Sequence, residues 1–272
     1  MDARDLLEQF EEFLATIPLE RYRNELMPVK TVEQDLPKDL NPLPAIYANY
    51  WLPKPVKFPD YEGFFHAWWI EHLKPLDAFI RKYFWGCSYE FVYLGFKARI
   101  YRTFISVLTQ FHFAYSWLAY CSLPLEASAD LDMQGIDALV TTEDGTKVAI
   151  QIMKETYRPE ARERGKFAQR KIQTDLFVEV PYTISQSDEW RRRAERARKD
   201  ETRRQAQLFS LLAEKFQRWL SNGFVVFQPY YPQMVEQLIE EAVKQGRQGT
   251  IGWREILEWL KKRSSPNGIA RN

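Results

Sequence analysis

Cysteine and histidine are scarce in this chain of 272 residues, which has two cysteines and three histidines. The cysteines, Cys87 and Cys121, form no CxxC pair, and the histidines lie at no spacing typical of metal ligands. This scarcity excludes a zinc-finger type of site and a disulfide framework. Because both cysteines lie among aromatic residues, we expect them to be buried free thiols.

Long apolar runs and an excess of one charge are also missing. No stretch reaches the roughly 18 consecutive apolar residues of a membrane helix. Residues 1–14 are acidic and amphipathic, unlike the basic and then apolar start of a signal peptide. We therefore expect a cytoplasmic protein. With 38 basic and 37 acidic residues, the total charge is uninformative about nucleic acids, so only the distribution of charge can be used.

Aromatic residues, in contrast, are abundant. They make up 15% of the chain and apolar residues 45%, which is enough for a sizeable core. We predict a mainly helical N-terminal lobe over residues 1–123, an α/β core over residues 124–264 and a loose tail over residues 265–272, although the whole could be one continuous domain. In the core we expect a small mixed β-sheet flanked by helices.

Periodicity and turn residues predict the individual elements. The proline-rich segment of residues 30–61 is expected to be irregular, with its aromatic side chains buried. Ser187 is expected to cap a long helix that ends at Asn222 and Gly223. The helices are predicted over residues 2–16, 19–27, 62–84, 91–121, 187–220, 231–246 and 253–262, and further strands over residues 174–180 and 224–227.

The most informative stretch, residues 130–155, predicts a β-hairpin. Two short β-branched and aliphatic runs, residues 136–140 and 148–152, flank a turn at residues 143–145. The turn contains Asp-Gly, the preferred centre of a two-residue hairpin loop. This arrangement places Asp137 on one strand near the polar end of the next strand.

These residue types suit the hydrolysis of a phosphodiester. The reaction needs a divalent metal held by carboxylates and a cation near the attacking water. We predict Asp137 as a metal ligand and Lys154 as the cation. The pattern resembles the signature of restriction-enzyme-like nucleases, which is Asp followed later by Asp or Glu, any residue, and Lys. Ile152 stands where that signature has its second carboxylate.

The polar side chain nearest to that position is Gln151. Because side chains alternate along a strand, Gln151 and Lys154 should face opposite sides unless the strand bulges. Either the strand bulges, or the second ligand comes from elsewhere, with Asp132 and Glu155 as candidates.

A basic arm follows the hairpin over residues 154–171. Net positive charge directly after a catalytic lysine is typical of a segment that follows a phosphate backbone, although a solvated charged turn has the same composition. We predict that it contacts DNA through Arg158, Arg162, Arg164, Lys166, Gln169, Arg170 and Lys171.

Several longer segments make the resemblance more specific. Along most of its length, the chain is similar to TaqI-type restriction endonucleases. The similarity is strongest in KTVEQDLPKDLNPLPAIYANYW (residues 30–51), LTQFHFAY (108–115), LDMQGIDALV (131–140), IQIMKETYRPEA (150–161) and NGFVVFQP (222–229).

The resemblance implies a restriction-endonuclease-like core and a Mg²⁺-dependent homodimer. It implies cleavage of double-stranded DNA at the palindrome T/CGA, leaving 5′ CG overhangs, and a cognate methyltransferase that acts separately. The family's catalytic aspartates correspond to Asp132 and Asp137 and its lysine to Lys154, with Gln151 in support. Met153 stands where the family has the first lysine of an adjacent pair.

Two alternatives keep the same fold. One is a structure-selective repair nuclease, which would cut branched DNA regardless of sequence. The other is a catalytically inactive DNA-binding protein, which Ile152 and Met153 favour.

Overall fold

The structure is a computed structural model that describes residues 2–29, 36–52, 57–155 and 172–264. It contains two compact units. One comprises Glu8–Phe111 and Leu220–Phe224, and the other comprises Met1–Leu7, His112–Trp219 and Val225–Asn272. The predicted α/β class, with a small mixed sheet flanked by helices, is confirmed. The lobe boundary at residue 123 stays a prediction.

The first of these units is helical. Its helices, with the ends of the first and last lying in the other unit, are α1 (Ala3–Thr16), α2 (Leu19–Glu25), α3 (Leu43–Tyr50), α4 (Tyr61–Glu71), α5 (Leu73–Tyr83) and α6 (Tyr89–Tyr120), with a 3₁₀ turn at Lys38–Leu40. Within the described ranges, no helix combines the length and the apolar character that crossing a membrane requires.

Aromatic side chains form the core of the helical unit. Phe64 stacks on Phe104 with ring centroids 5.7 Å apart, and Tyr50 meets Phe104 edge to face at 5.1 Å. The Tyr50 hydroxyl donates to the carbonyl oxygen of Pro59. Burial raises the pKa of Tyr101 to about 12. The predicted burial of aromatic residues in the proline-rich segment is therefore confirmed for Tyr47 and Tyr50, whereas Trp51 is partly buried.

Three expectations for the helical unit are wrong. Residues 43–50 form a helix because Pro42 and Pro44 lie at its start, where a missing N–H is tolerated. The single helix expected over residues 62–84 is interrupted at His72. Cys87 is exposed rather than buried; Cys121, in the other unit, is partly buried.

The other unit is built on a five-stranded sheet. Its strands are β1 (Leu125–Glu126), β2 (Ala138–Thr141), β3 (Lys147–Lys154), β4 (Leu176–Tyr182) and β7 (Gly249–Ile251), in that spatial order. β1, β2 and β3 pair antiparallel, whereas β3, β4 and β7 pair parallel. Among the described residues, the remaining helices are α7 (Ala129–Met133), α8 (Ser187–Arg196), α9 (Asp200–Leu211), α10 (Tyr230–Lys244) and α11 (Trp253–Arg263).

The predicted hairpin of β2 and β3 is confirmed, but its loop is longer than two residues. The Thr142 carbonyl accepts a hydrogen bond from the Gly145 N–H, and Gly145 has a φ of +84°. The side chain of Asp144 accepts from the Thr146 N–H and the Thr142 hydroxyl. Glycine is therefore required at position 145 for its left-handed conformation.

The long helix predicted over residues 187–220 is wrong. The chain forms α8 and α9, a π-helical turn at Leu212–Phe216, and then strand β5 (Gln217–Trp219), which pairs with β6 (Val225–Phe227). Gln186, not Ser187, is the N-cap residue of α8. Asn222 and Gly223 lie in the turn after β5 rather than at a helix end, and Gly223 has a φ of +85°.

Gln217 fixes the chain directly after β4. Its buried amide accepts from the Thr183 N–H and donates to the Thr183 carbonyl, both at 3.1 Å. The Thr183 hydroxyl in turn accepts from the indole N–H of Trp190 at 2.8 Å. Gln217, the residue after the π-helical turn, thus pairs through its side chain with the backbone of Thr183, as a neighbouring strand would.

We expect Gln217→Ala to destabilise the protein by about 2 kcal/mol or more, because two buried backbone groups lose their partners. The matched control is Gln233→Ala, since Gln233 is exposed and donates a single bond to Tyr120. Thermal unfolding measures both variants. Equal midpoints for the two would contradict this role of Gln217.

Candidate active site

Asp137 lies at a β-bulge at the start of β2. Ala138 is the partner of Ile150 in the ladder, and the Asp137 N–H also donates to the Ile150 carbonyl at 2.9 Å. Two residues of one strand therefore oppose one residue of the other. Such bulges re-aim a side chain and are frequent beside active sites.

The bulge directs the Asp137 carboxylate onto the edge of β3. Its Oδ2 accepts the Ile152 N–H at 2.6 Å. Asp137 is buried, with 6% of its surface exposed. The carboxylate thus accepts the hydrogen bond that a backbone carbonyl would accept if the pairing of β2 with β3 continued as far as Ile152.

The possible bulge in β3 is not observed. β3 pairs with β4 residue for residue from Val148 to Lys154. Strand alternation therefore places Gln151 and Met153 on one face, and Ile152 and Lys154 on the other. The structure brings Asp137 and Gln151 together, but the side chain of Lys154 starts on the opposite face from Gln151.

Asp132 lies in the short helix α7. Ser128 caps this helix by accepting from the Leu131 N–H. Leu131 packs in a cluster with Leu139, Ala149 and Phe177. Because Ala149 and Gln151 are two residues apart on β3, α7 covers the face that carries Gln151. Asp132 is buried there, with 7% of its surface exposed.

The donor set fits an oxygen-ligated metal. Gln151 Oε1 is buried and has no hydrogen-bond partner among the described residues. In the same ranges, no three Asp, Glu, His or Cys side chains are grouped to hold a metal ion. Two carboxylates and an amide oxygen nevertheless suit Mg²⁺, which usually keeps several waters. Asp132, Asp137 and Gln151 are residues that could hold it.

Glu155 is a poor partner for Gln151 in one metal site. Four residues along an extended strand span roughly 13 Å, which is near the limit that both side chains could bridge. Burial raises the pKa of the Glu155 carboxyl, and its Oε2 is buried without a hydrogen-bond partner in the described part of the chain. Of the two carboxylates considered from the sequence, Asp132 has the better position.

Glu179 is a buried acid that the sequence reasoning did not select. It is the β4 partner of Gln151, and only 2% of its surface is exposed. Its Oε2 accepts the Trp253 N–H at 3.2 Å, at the start of α11, where Gly252 provides no side-chain cap. The signal was an acid within the otherwise apolar run LFVEVPY. Glu179 attaches the positive end of α11 to the strand beside Gln151.

A cavity of about 240 Å³ opens beside these residues. One part of its wall is the end of β3, and another comes from α9 and the start of α11. Its lining comprises Met153, Lys154, Glu155, Pro181, Gln205, Phe209, Trp253 and Arg254. The cavity is therefore continuous with the polar end of β3 and carries two cationic side chains.

The predicted DNA-binding residues lie outside the described residues, because residues 156–171 are not described. The residues concerned are Arg158, Arg162, Arg164, Lys166, Gln169, Arg170 and Lys171, and their roles stay predictions.

The five-stranded mixed sheet flanked by helices is the architecture of the restriction-endonuclease-like class of nucleases. A sequence model of the family described as TaqI restriction endonuclease matches residues 7–239. The chain belongs to the TaqI restriction endonuclease family.

Two curated relatives are type II restriction enzymes. The type II restriction enzyme of Thermus thermophilus is 49% identical over 257 residues, which cover 93% of this chain and 95% of the relative. TaqI of Thermus aquaticus is 48% identical over 259 residues, covering 94% and 96%. No solved structure matches the chain.

The protein is a type II restriction endonuclease, a site-specific deoxyribonuclease that acts on double-stranded DNA. Enzymes of this class generally need a divalent metal. The resemblance to TaqI-type restriction endonucleases that the sequence indicates is confirmed.

We expect Asp137→Asn to abolish cleavage while keeping the fold and specific DNA binding, because its amide oxygen can still accept the Ile152 N–H. Asp137→Ala removes that acceptor and should also cost about 1–3 kcal/mol of stability. Thermal unfolding, gel-shift binding and cleavage assays separate the two effects. Near-normal cleavage by Asp137→Asn would show that the carboxylate is only structural.

Proposed function

We propose that this endonuclease is a Mg²⁺-dependent homodimer that cuts the palindrome T/CGA and leaves 5′ CG overhangs. The observation that carries the proposal is the bulged Asp137 beside Gln151, in a chain nearly half identical to two type II restriction enzymes over almost its whole length. Both relatives are aligned across the hairpin that holds these residues.

Asp137 and Asp132 would hold the metal, with Gln151 supplying a neutral oxygen. When bound, Mg²⁺ supplies positive charge for the phosphorane and lowers the pKa of water. The short bond from the Ile152 N–H keeps the Asp137 carboxylate in a fixed orientation. Water attacks in line with the departing 3′ oxygen, and the proposed role of Lys154 is to orient this water or stabilise the developing charge.

Two-fold symmetry supports the homodimer. A palindrome is read most simply by two identical subunits related by the axis of the DNA site. We propose that the basic arm over residues 154–171 contacts phosphates and reads bases in the major groove, where Arg or Lys pairs with guanine and Gln with adenine. A cognate methyltransferase would protect the host site without forming a stable complex. The cytoplasmic location stays a prediction.

The first test is a digest of methylation-free phage DNA with and without Mg²⁺, over a range of temperatures, followed by sequencing of the fragment ends. We expect discrete ends at T/CGA that require the metal. Discrete ends at another sequence would retain the chemistry and refute the specificity.

The absence of discrete fragments would instead favour the two alternatives. Cleavage of branched substrates alone would indicate a structure-selective nuclease. Binding of a TCGA duplex without any cleavage would indicate an inactive DNA-binding protein, for which Met153 is the relevant feature.

We expect Lys154→Met to lower the cleavage rate by about 100-fold, as the loss of one charge-stabilising group does in other enzymes. Lys147→Met is the matched control, because Lys147 begins the same strand and is exposed. Single-turnover cleavage with saturating enzyme measures both variants. Equal rates for Lys154→Met and wild type would remove Lys154 from the mechanism.

A further inference from the structure

The neighbours of Gln151 on its own face of the sheet, among the described residues, carry no positive charge. Along β3 they are Ala149 and Met153, and the partner of Gln151 on β4 is Glu179. Cleavage of a phosphodiester places additional negative charge on the phosphate, which a preorganised cation stabilises. These neighbours therefore supply no cation, and positive charge for this face comes from the lining of the adjoining cavity, in which Lys154 and Arg254 lie.

The cavity beside Met153 is an opening on this face. Its volume of about 240 Å³ is several times the roughly 30 Å³ that a water occupies in the liquid. The space therefore accommodates a phosphate group with some of its water. Its lining includes Met153 and Pro181 from the sheet, and Gln205, Trp253 and Arg254 from helices α9 and α11.

Arg254, at the start of α11, makes exposed contacts that a phosphate group can replace. Its Nη1 lies 3.0 Å from Glu201 Oε1, and its guanidinium lies over the Trp253 ring at 5.4 Å. The side chains of Arg254 and Glu201 are 52% and 73% exposed, so the ion pair is weak and a phosphate can replace Glu201. The planar guanidinium binds phosphate oxygens in pairs.

The start of α11 is hydrogen-bonded to β4, the strand next to β3. The Trp253 N–H donates to Glu179, the β4 partner of Gln151. The first turn of an α-helix carries partial positive charge, which adds to that of Arg254. Helix and guanidinium together therefore direct positive charge toward the face of Gln151 and Met153.

We propose that Arg254 is a further catalytic residue, which binds the scissile phosphate from the cavity wall and supplies the positive charge that Met153 does not. The proposal rests on the Mg²⁺-dependent cleavage at T/CGA proposed above and adds a second cation to Lys154. It assigns α11, at the C-terminal end of the described chain, to the active site.

The binding test pairs a protein change with a change in DNA charge. Wild type and Arg254→Met are titrated in Ca²⁺, which serves as the metal probe, with a duplex containing the cleavage sequence. A second duplex carries an uncharged methylphosphonate at the scissile position. We expect either change alone to weaken binding about 10- to 100-fold, and both together to weaken it no further. Additive losses would overturn the proposal.

The control variant is Arg263→Met, because Arg263 lies on the same helix and pairs with Glu241 away from the cavity. It should respond to the methylphosphonate as wild type does. If wild type itself binds the TCGA duplex no better than a scrambled duplex, the proposed T/CGA specificity fails, and the role of Arg254 at that site fails with it. Additive losses with specific wild-type binding overturn the role of Arg254 alone.

Cleavage rates provide a second measurement. We expect Arg254→Met to reduce the single-turnover rate about 100-fold. In a Met153→Lys background, a lysine on the same face supplies the charge, so the loss caused by Arg254→Met should fall below about tenfold. An equal loss in both backgrounds would show that Arg254 acts at another place.

Discussion

The N–H of Ile152 and the carboxylate of Asp137 meet where the β2 ladder has ended and β3 continues beyond it. A backbone donor at such a place needs an acceptor, since leaving it buried and unpaired costs about 1–3 kcal/mol. Asp137 provides that acceptor because the bulge re-aims its side chain into the plane of the sheet. The requirement of the strand for a partner therefore fixes the position of the carboxylate that we propose as a metal ligand.

In the proposed mechanism, one side chain serves both the fold and the reaction. The bond from the Ile152 N–H to one Asp137 oxygen orients the carboxylate that is proposed to hold the metal. Glu179 repeats the principle one strand further along, where its carboxylate accepts the Trp253 N–H and attaches α11 to the sheet. Activity measured on variants of either acid consequently contains a contribution from stability, which only a substitution that keeps the acceptor can separate.

Local patterns were sufficient to predict the hairpin beside Asp137, because strand alternation and an Asp-Gly turn depend on neighbouring residues. They were insufficient for the bulge, whose extra residue is visible only in the pairing with Ile150. Glu179 was missed because its role depends on α11, which lies far along the chain. The helix expected over residues 187–220 was wrong because periodicity does not reveal the π-helical turn, which ends where Gln217 pairs with Thr183.

The limit of local patterns also applies to the cation, which the sequence pattern places on β3. The spacing rule for this class places a carboxylate and a lysine two residues apart on one strand, but the regular pairing of β3 with β4 gives that position to Met153. A reaction needs charge at a point in space, not at a position in the sequence. Helix α11 brings Arg254 to the cavity beside Met153. In the mechanism proposed for Arg254, the catalytic charge depends on the packing of a distant helix, so loosening the bond between Glu179 and Trp253 should weaken catalysis without altering any residue proposed to contact DNA.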